Sequence, residues 1–191
     1  MTGARSANIL AVLWPEHCRE LVSVSGSLIG SQEANKMPLP PKAALQWWCQ
    51  YYFAAERGQE GYDKYRRDFA ELSWQIASPK WDFDDAQFDR SAAAFDNPDH
   101  VAITIDNYRW RLRLAKGEPQ YDELEKRLAM APVISVLTIT LEGDANGAQH
   151  LDPASYRGKY AHRMSGGGIG HNLPQEAPQA FTQAIIDVDG L

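Results

Sequence analysis

Two residues in this chain have the type and the setting to pass a proton between them: Asp144 and His171. Asp144 closes Glu142-Gly143-Asp144, directly after the apolar, β-branched run from Val133 to Leu141 (VISVLTITL), which reads as a buried strand. His171 follows a shorter strand, Tyr160 to Met164, and the glycine-rich stretch Gly166-Gly167-Gly168-Ile169-Gly170. An acid just past the carboxyl end of a strand lies where α/β sheets place their sites. A histidine on the loop after the next strand can reach it. The carboxylate, expected to be buried, would then fix the imidazole tautomer and stabilise the imidazolium formed when a proton is taken up. The plainer alternative has Asp144 capping a turn and His171 entering a helix, and spacing does not separate the two.

The elements that must position these residues are legible in outline. Ala7 to Trp14 is apolar nearly all round and is stopped by Pro15, which predicts a buried helix. Leu21 to Ser25, closed by Gly26, predicts a strand. From about Gln32 the character changes, with Pro38, Pro40 and Pro41 marking the boundary. Helical segments are predicted at Ala43–Arg57, Gly61–Ile76, Asp84–Phe95, Asp99–Leu114 and Tyr121–Ala129. Gly58, Ser78-Pro79, Asn97-Pro98 and Gly117-Glu118-Pro119 separate them as breakers. After the two later strands, Pro174 to Val188 reads as a closing helix with Ala177, Phe181, Ala184 and Ile185 on one face. The fold class is therefore α/β. Residues 1–31 form part of the core, 32–131 an all-helical insertion, and 132–191 the return to the core.

Composition narrows the function. A formal charge of −6 argues against nucleic acid, which needs a basic footprint. The apolar stretch from Ile9 to Trp14 is far below the roughly 20 residues that span a bilayer, so no membrane role and a cytoplasmic location are expected. Cys18 and Cys49 suggest neither a disulfide framework nor a cysteine-rich metal site. His150, Asp152, His162 and His171 lack the spacing of a ligand pair, and the glycines before His171 lack the third glycine of a dinucleotide fingerprint. Neither a metal nor a cofactor is expected, and the partner is a small-molecule substrate.

At these residues the chain resembles the α/β-hydrolase superfamily, in its epoxide hydrolase and haloalkane or haloacetate dehalogenase-like branch. Ala7 to Pro15, Leu21 to Gly30, Tyr52 to Gly58, Asn107-Tyr108-Arg109, Thr138 to Gly147 and Gly168 to Phe181 carry the resemblance. It implies the C-terminal part of such a sheet, about three strands with flanking helices, bearing the helical insertion as a cap. It also implies that Asp144 and His171 are the acid and histidine that activate water, in the chain order of that family. The family's nucleophile, in a G-x-nucleophile-x-G elbow, would fall at Met1, which cannot attack. Either the start is assigned too late or the chain is a real truncation, and the chain alone is then inactive or only binds small molecules. Ser23-Val24-Ser25-Gly26-Ser27 looks like an elbow, but these small residues are better read as a strand end close to the site.

The family's epoxide hydrolases hold the epoxide oxygen with two cap tyrosines. Tyr108 matches the second, whereas the first falls at Cys49, whose thiol is a weaker donor than a phenol. Dehalogenation and ester hydrolysis therefore stay open beside epoxide opening. Trp48 is the aromatic residue expected to line the pocket, with Trp47, Tyr51 and Trp110 read as core.

Overall fold

The computed structural model describes residues 2–26, 38–147, 153–157 and 159–191. Met1, His150 and Asp152 lie outside the described residues, as does the start of the insertion at Gln32. The chain forms two compact units. One comprises Met1–Gly30, Ala77–Trp81 and Lys126–Leu191; the other comprises Ser31–Ile76 and Asp82–Glu125.

The first unit is the α/β part. Helix α1 (Thr2–Leu13) precedes strand β1 (Glu20–Val24); strands β2 (Leu137–Gly143) and β3 (Tyr160–Ser165) follow the insertion. Among the described residues the three strands are all parallel, in the order β1-β2-β3. Register places Val22 beside Ile139 and Ala161, and Ser23 beside Thr140 and His162. Alternation then gives the sheet two unlike faces. Ile139 and Leu141, with Val22, Val24 and Ala161, pack against Leu173, Ala184 and Val188. Ser23, Thr138, Thr140 and Glu142 are buried on the other face, where Asn8 of α1 donates to Ser23 Oγ at 3.2 Å.

Several boundaries differ from the sequence reading, each for a local reason. Helix α1 begins at Thr2, before Ala7, and is not buried all round: Ala11 is fully buried while Leu10 is 40% exposed. Only one side of the helix meets the sheet. The run at Val133 does not enter β2 directly. Ile134 makes an isolated bridge to Tyr156, three residues before the strand proper begins at Leu137. The closing helix is two helices. Pro178 has no N–H to donate and excludes the helical conformation from Ala177 (φ −137°, ψ 61°), which ends the short helix Leu173–Glu176 before Pro178–Asp187 begins.

The second unit is helical: α2 (Pro41–Gln46), α3 (Trp48–Ala54), α4 (Glu56–Ala77), α5 (Asp85–Ala92), α6 (His100–Arg111), with α7 (Asp122–Ala129) leading back. Counting on, Leu173–Glu176 is α8 and Pro178–Asp187 is α9. The single helix predicted over Ala43–Arg57 is broken at Trp47 and at Ala55, which is extended (φ −93°, ψ 153°). Gly58 is not a breaker; it lies inside α4 and is buried. A Cβ there would overlap the Tyr52 carbonyl, so the glycine lets α4 start hard against the end of α3. Phe53, Tyr62, Ile105 and Tyr108 form the buried centre of this unit. Asp84 caps α5 through a reciprocal pair with Gln87 (2.6 and 3.2 Å).

Candidate active site

Within the α/β unit, Asp144 and the loop that carries His171 are brought together at the carboxyl ends of β2 and β3. The Asp144 carboxylate accepts three successive backbone N–H groups: Gly167 on Oδ2 (3.1 Å), then Gly168 and Ile169 on Oδ1 (both 2.9 Å). Three amides can converge on one carboxylate because Gly167 and Gly168 take left-handed conformations (φ 101° and 88°), open to glycine and strained for other residues. The glycine-rich stretch is thus an anion-holding turn supplied with its own internal anion. Gly143 completes the junction. A Cβ on it would overlap the Ile169 carbonyl and meet the Gly170 carbonyl at 2.6 Å, so strand and loop pack backbone against backbone.

A second set of contacts holds the far end of the loop. The His171 N–H donates to the Ala77 carbonyl (2.9 Å). The Ser78 hydroxyl, 1% exposed, accepts from the N–H and side-chain amide of Asn172 (3.1 and 3.0 Å) and donates to Glu176 Oε2 (2.7 Å). Glu176 Oε1 accepts the Gly170 N–H (2.9 Å). His171 is half-buried and is fixed by backbone bonds on both sides.

Beneath this junction the sheet is polar. Glu142 is 2% exposed, and its Oε1 accepts from Asn146 Nδ2 (2.9 Å), which also donates to Ser25 Oγ (3.3 Å). Ser25 itself is left-handed at φ 44°, which costs a non-glycine residue about 1–3 kcal/mol and recurs at functional sites. Ser25, Thr140, Glu142, Tyr160 and His162 line a cavity of about 10 Å³, roughly the room of one water. Thr140 Oγ1 lies 2.9 Å from the Tyr160 hydroxyl and 3.0 Å from His162 Nδ1. Among the described residues no three His, Cys, Asp or Glu side chains form a metal-binding group.

Sequence reasoning singled out neither the Ser78–Glu176 brace nor the Glu142–Asn146 pair. The signal for the latter was present: Thr138, Thr140 and Glu142 alternate within a run otherwise apolar. The brace could not be found that way, since Ser78 and Glu176 lie 98 residues apart.

Within the helical unit, Cys49 on α3 and Tyr108 on α6 come together. Burial pushes the Cys49 thiol above its ordinary pKa, opposed first by a hydrogen bond from Tyr108. Tyr108 is 8% exposed, with its ring 4.8 Å from that of Phe53. Trp48 packs on Phe69 (5.0 Å between centroids) and edge-on to Tyr52 (5.8 Å). Tyr51 is 53% exposed, away from the core position expected of it.

A parallel sheet whose strand ends carry an acid and a histidine loop, interrupted by a helical insertion, defines the fold of the C-terminal portion of an α/β-hydrolase. Solved structures of an epoxide hydrolase-like protein and of a haloalkane dehalogenase share this fold. No family model matches the sequence, and no curated protein matches it. Solved structures do. A protein from Klebsiella pneumoniae assigned as an epoxide hydrolase is 56% identical, with a TM-score of 0.94 over 99% of this chain and 64% of its own. A protein from Nostoc assigned as an α/β hydrolase (19% identity, TM-score 0.72) matches 97% of this chain and 62% of its own. A haloalkane dehalogenase variant from Bradyrhizobium elkanii (16%, TM-score 0.65) matches 96% and 63% respectively. The two distant likenesses show the fold. The chain spans less than two thirds of the length of each.

Proposed function

We propose that this chain carries the water-activating half of an epoxide hydrolase-like enzyme, with His171 as general base and Asp144 as its acid partner. The observation that supports this reading best is the double restraint on the His171 loop, by Asp144 on one side and the Ser78–Glu176 brace on the other. A base must sit within hydrogen-bond reach of the proton it takes, so rigidity of its loop is what such chemistry requires. Tyr108, Cys49 and Trp48 are the helical unit's candidates for contact with a small-molecule substrate. Epoxide, carbon–halogen and ester bonds are all compatible with a histidine that activates water, and the Klebsiella relative favours the epoxide.

An activated ester such as 4-nitrophenyl acetate isolates this half of the chemistry, because a general base and water suffice to cleave it. His171→Ala should lower the protein-catalysed rate by about 10²-fold, the lower end of what a positioned base contributes. Equal rates in the two proteins would overturn the assignment. Ligand-induced stabilisation without any turnover would instead point to a binding protein.

A further inference from the structure

In the hydrolase reading, the partly buried cation Arg111 beside Tyr108 has no assigned part. Resting on that reading, we propose that Arg111 is a positioning residue whose guanidinium makes the Tyr108 phenol a stronger proton donor to a substrate oxygen. Helix α6 sets the two residues three apart, so their side chains share a face. The guanidinium carbon lies 4.8 Å from the centre of the Tyr108 ring. Arg111 is half-buried, yet its hydrogen bond runs to a neutral oxygen, Asn107 Oδ1 at 3.1 Å. Among the described residues no carboxylate makes an ion pair with it. Partly buried cations are ordinarily paired, so an arginine facing a phenol and a thiol calls for a reason. Burial holds the guanidinium pKa below its ordinary value, and the Coulombic pull of Tyr108 and then of Cys49 opposes this.

The charges facing Tyr108 make the direction plain. From α3 comes Cys49, kept a neutral thiol by burial. From α6 comes Arg111, while Arg109 is turned away to the Phe53 carbonyl (3.2 Å). Phe53 contributes no charge. Burial alone would make the phenol a weaker acid; a neighbouring cation favours the phenolate and acts against that. The need for this follows from Cys49. Where two phenols would share the proton donation to an epoxide oxygen, this cap has one phenol and a weak thiol donor. As water gives its proton to His171 and bonds to the epoxide carbon, the C–O bond breaks, its electron pair stays on the ring oxygen, and that oxygen takes the Tyr108 proton. The phenolate left beside Arg111 is reprotonated from water.

The test reads the phenol and not turnover. The chain has eight tyrosines, so the Tyr108 component is the difference in phenolate absorbance between each protein and its Tyr108→Phe counterpart, followed through an alkaline titration. Arg111→Gln and Arg111→Met should move that component up by about one pH unit, a tenfold loss of acidity. Arg111→Lys should move it less. Met keeps the aliphatic stem against the ring, so it carries the test if the Gln variant melts. An unmoved component, or a Lys variant that shifts as far as Gln, overturns the proposal. If the component moves as expected in a chain that hydrolyses nothing, the acidification of Tyr108 by Arg111 stands and its use on a substrate oxygen falls with the hydrolase reading.

Discussion

Asp144 has an observed contact set and a proposed role that mutation can separate. As an anchor it accepts three amides of the loop; in the proposed relay it would stabilise an imidazolium. Asp144→Asn keeps an acceptor oxygen but loses the charge that strengthens all three bonds. The side chain is exposed, so we expect a stability loss of only about 1–2 kcal/mol in urea unfolding, below the sum for buried charged bonds. Its effect on ester hydrolysis should be larger than that loss can explain, because the loop presents His171. A rate unchanged in a destabilised Asp144→Asn protein would leave the anchor and remove the relay. Ser78→Ala provides the contrast. It strips one buried hydroxyl from three partners, and we expect about 2–3 kcal/mol of destabilisation, because Glu176 and Asn172 are left unsatisfied. Asp144 and His171 were legible because each follows a strand and is flagged by glycines. Ser78 was not, since it looks in sequence like half of a Ser-Pro breaker and gains its meaning only when the chain returns at Glu176.

Element boundaries were legible where the chain itself ends an element and lost where a neighbour does. Parallel β-branched runs and the Asn97-Pro98-Asp99 helix start could be read directly. Gly58 could not, because what matters there is the carbonyl of Tyr52. In an unencumbered helix Gly→Ala stabilises by about 1 kcal/mol. Here the added methyl overlaps backbone, which cannot rotate away, so Gly58→Ala should destabilise and lower the melting temperature. A raised melting temperature would show that α3 and α4 are not so tightly apposed. The Tyr62–His100 bond (2.9 Å) joins α4 to α6 and adds a pH dependence to the cap. Burial, and next the Arg66 guanidinium, hold the His100 pKa below its ordinary value. The folded cap therefore resists protonation that the unfolded chain accepts. Its contribution is full above the unfolded value of about 6.5 and is lost as pH falls through and below it. His100→Gln should flatten the stability profile between pH 7 and pH 5; an unchanged slope would assign that slope to other groups.

At the scale of the whole molecule, the sheet raises a question that its residues cannot answer alone. Among the described residues β1 pairs with β2 only, so one edge of a parallel sheet carries unpaired N–H and C=O groups along Glu20–Val24. Parallel sheets are built to be covered, and proteins with exposed edges blunt them with charge, proline or bulges. Strand β1 has one charged residue, Glu20, which is drawn to Arg19 (3.0 Å) at the strand's start. The remaining Leu21-Val22-Ser23-Val24 has neither charge nor proline and reads as an interior strand. The Klebsiella relative extends well beyond the 64% of its length that this chain matches, so a longer chain has material with which to pair such an edge. Expressed as these 191 residues, the protein should associate through β1, giving a weight-average mass in light scattering that rises with concentration. A monomer that melts cooperatively at every concentration would mean that the edge is satisfied within the chain.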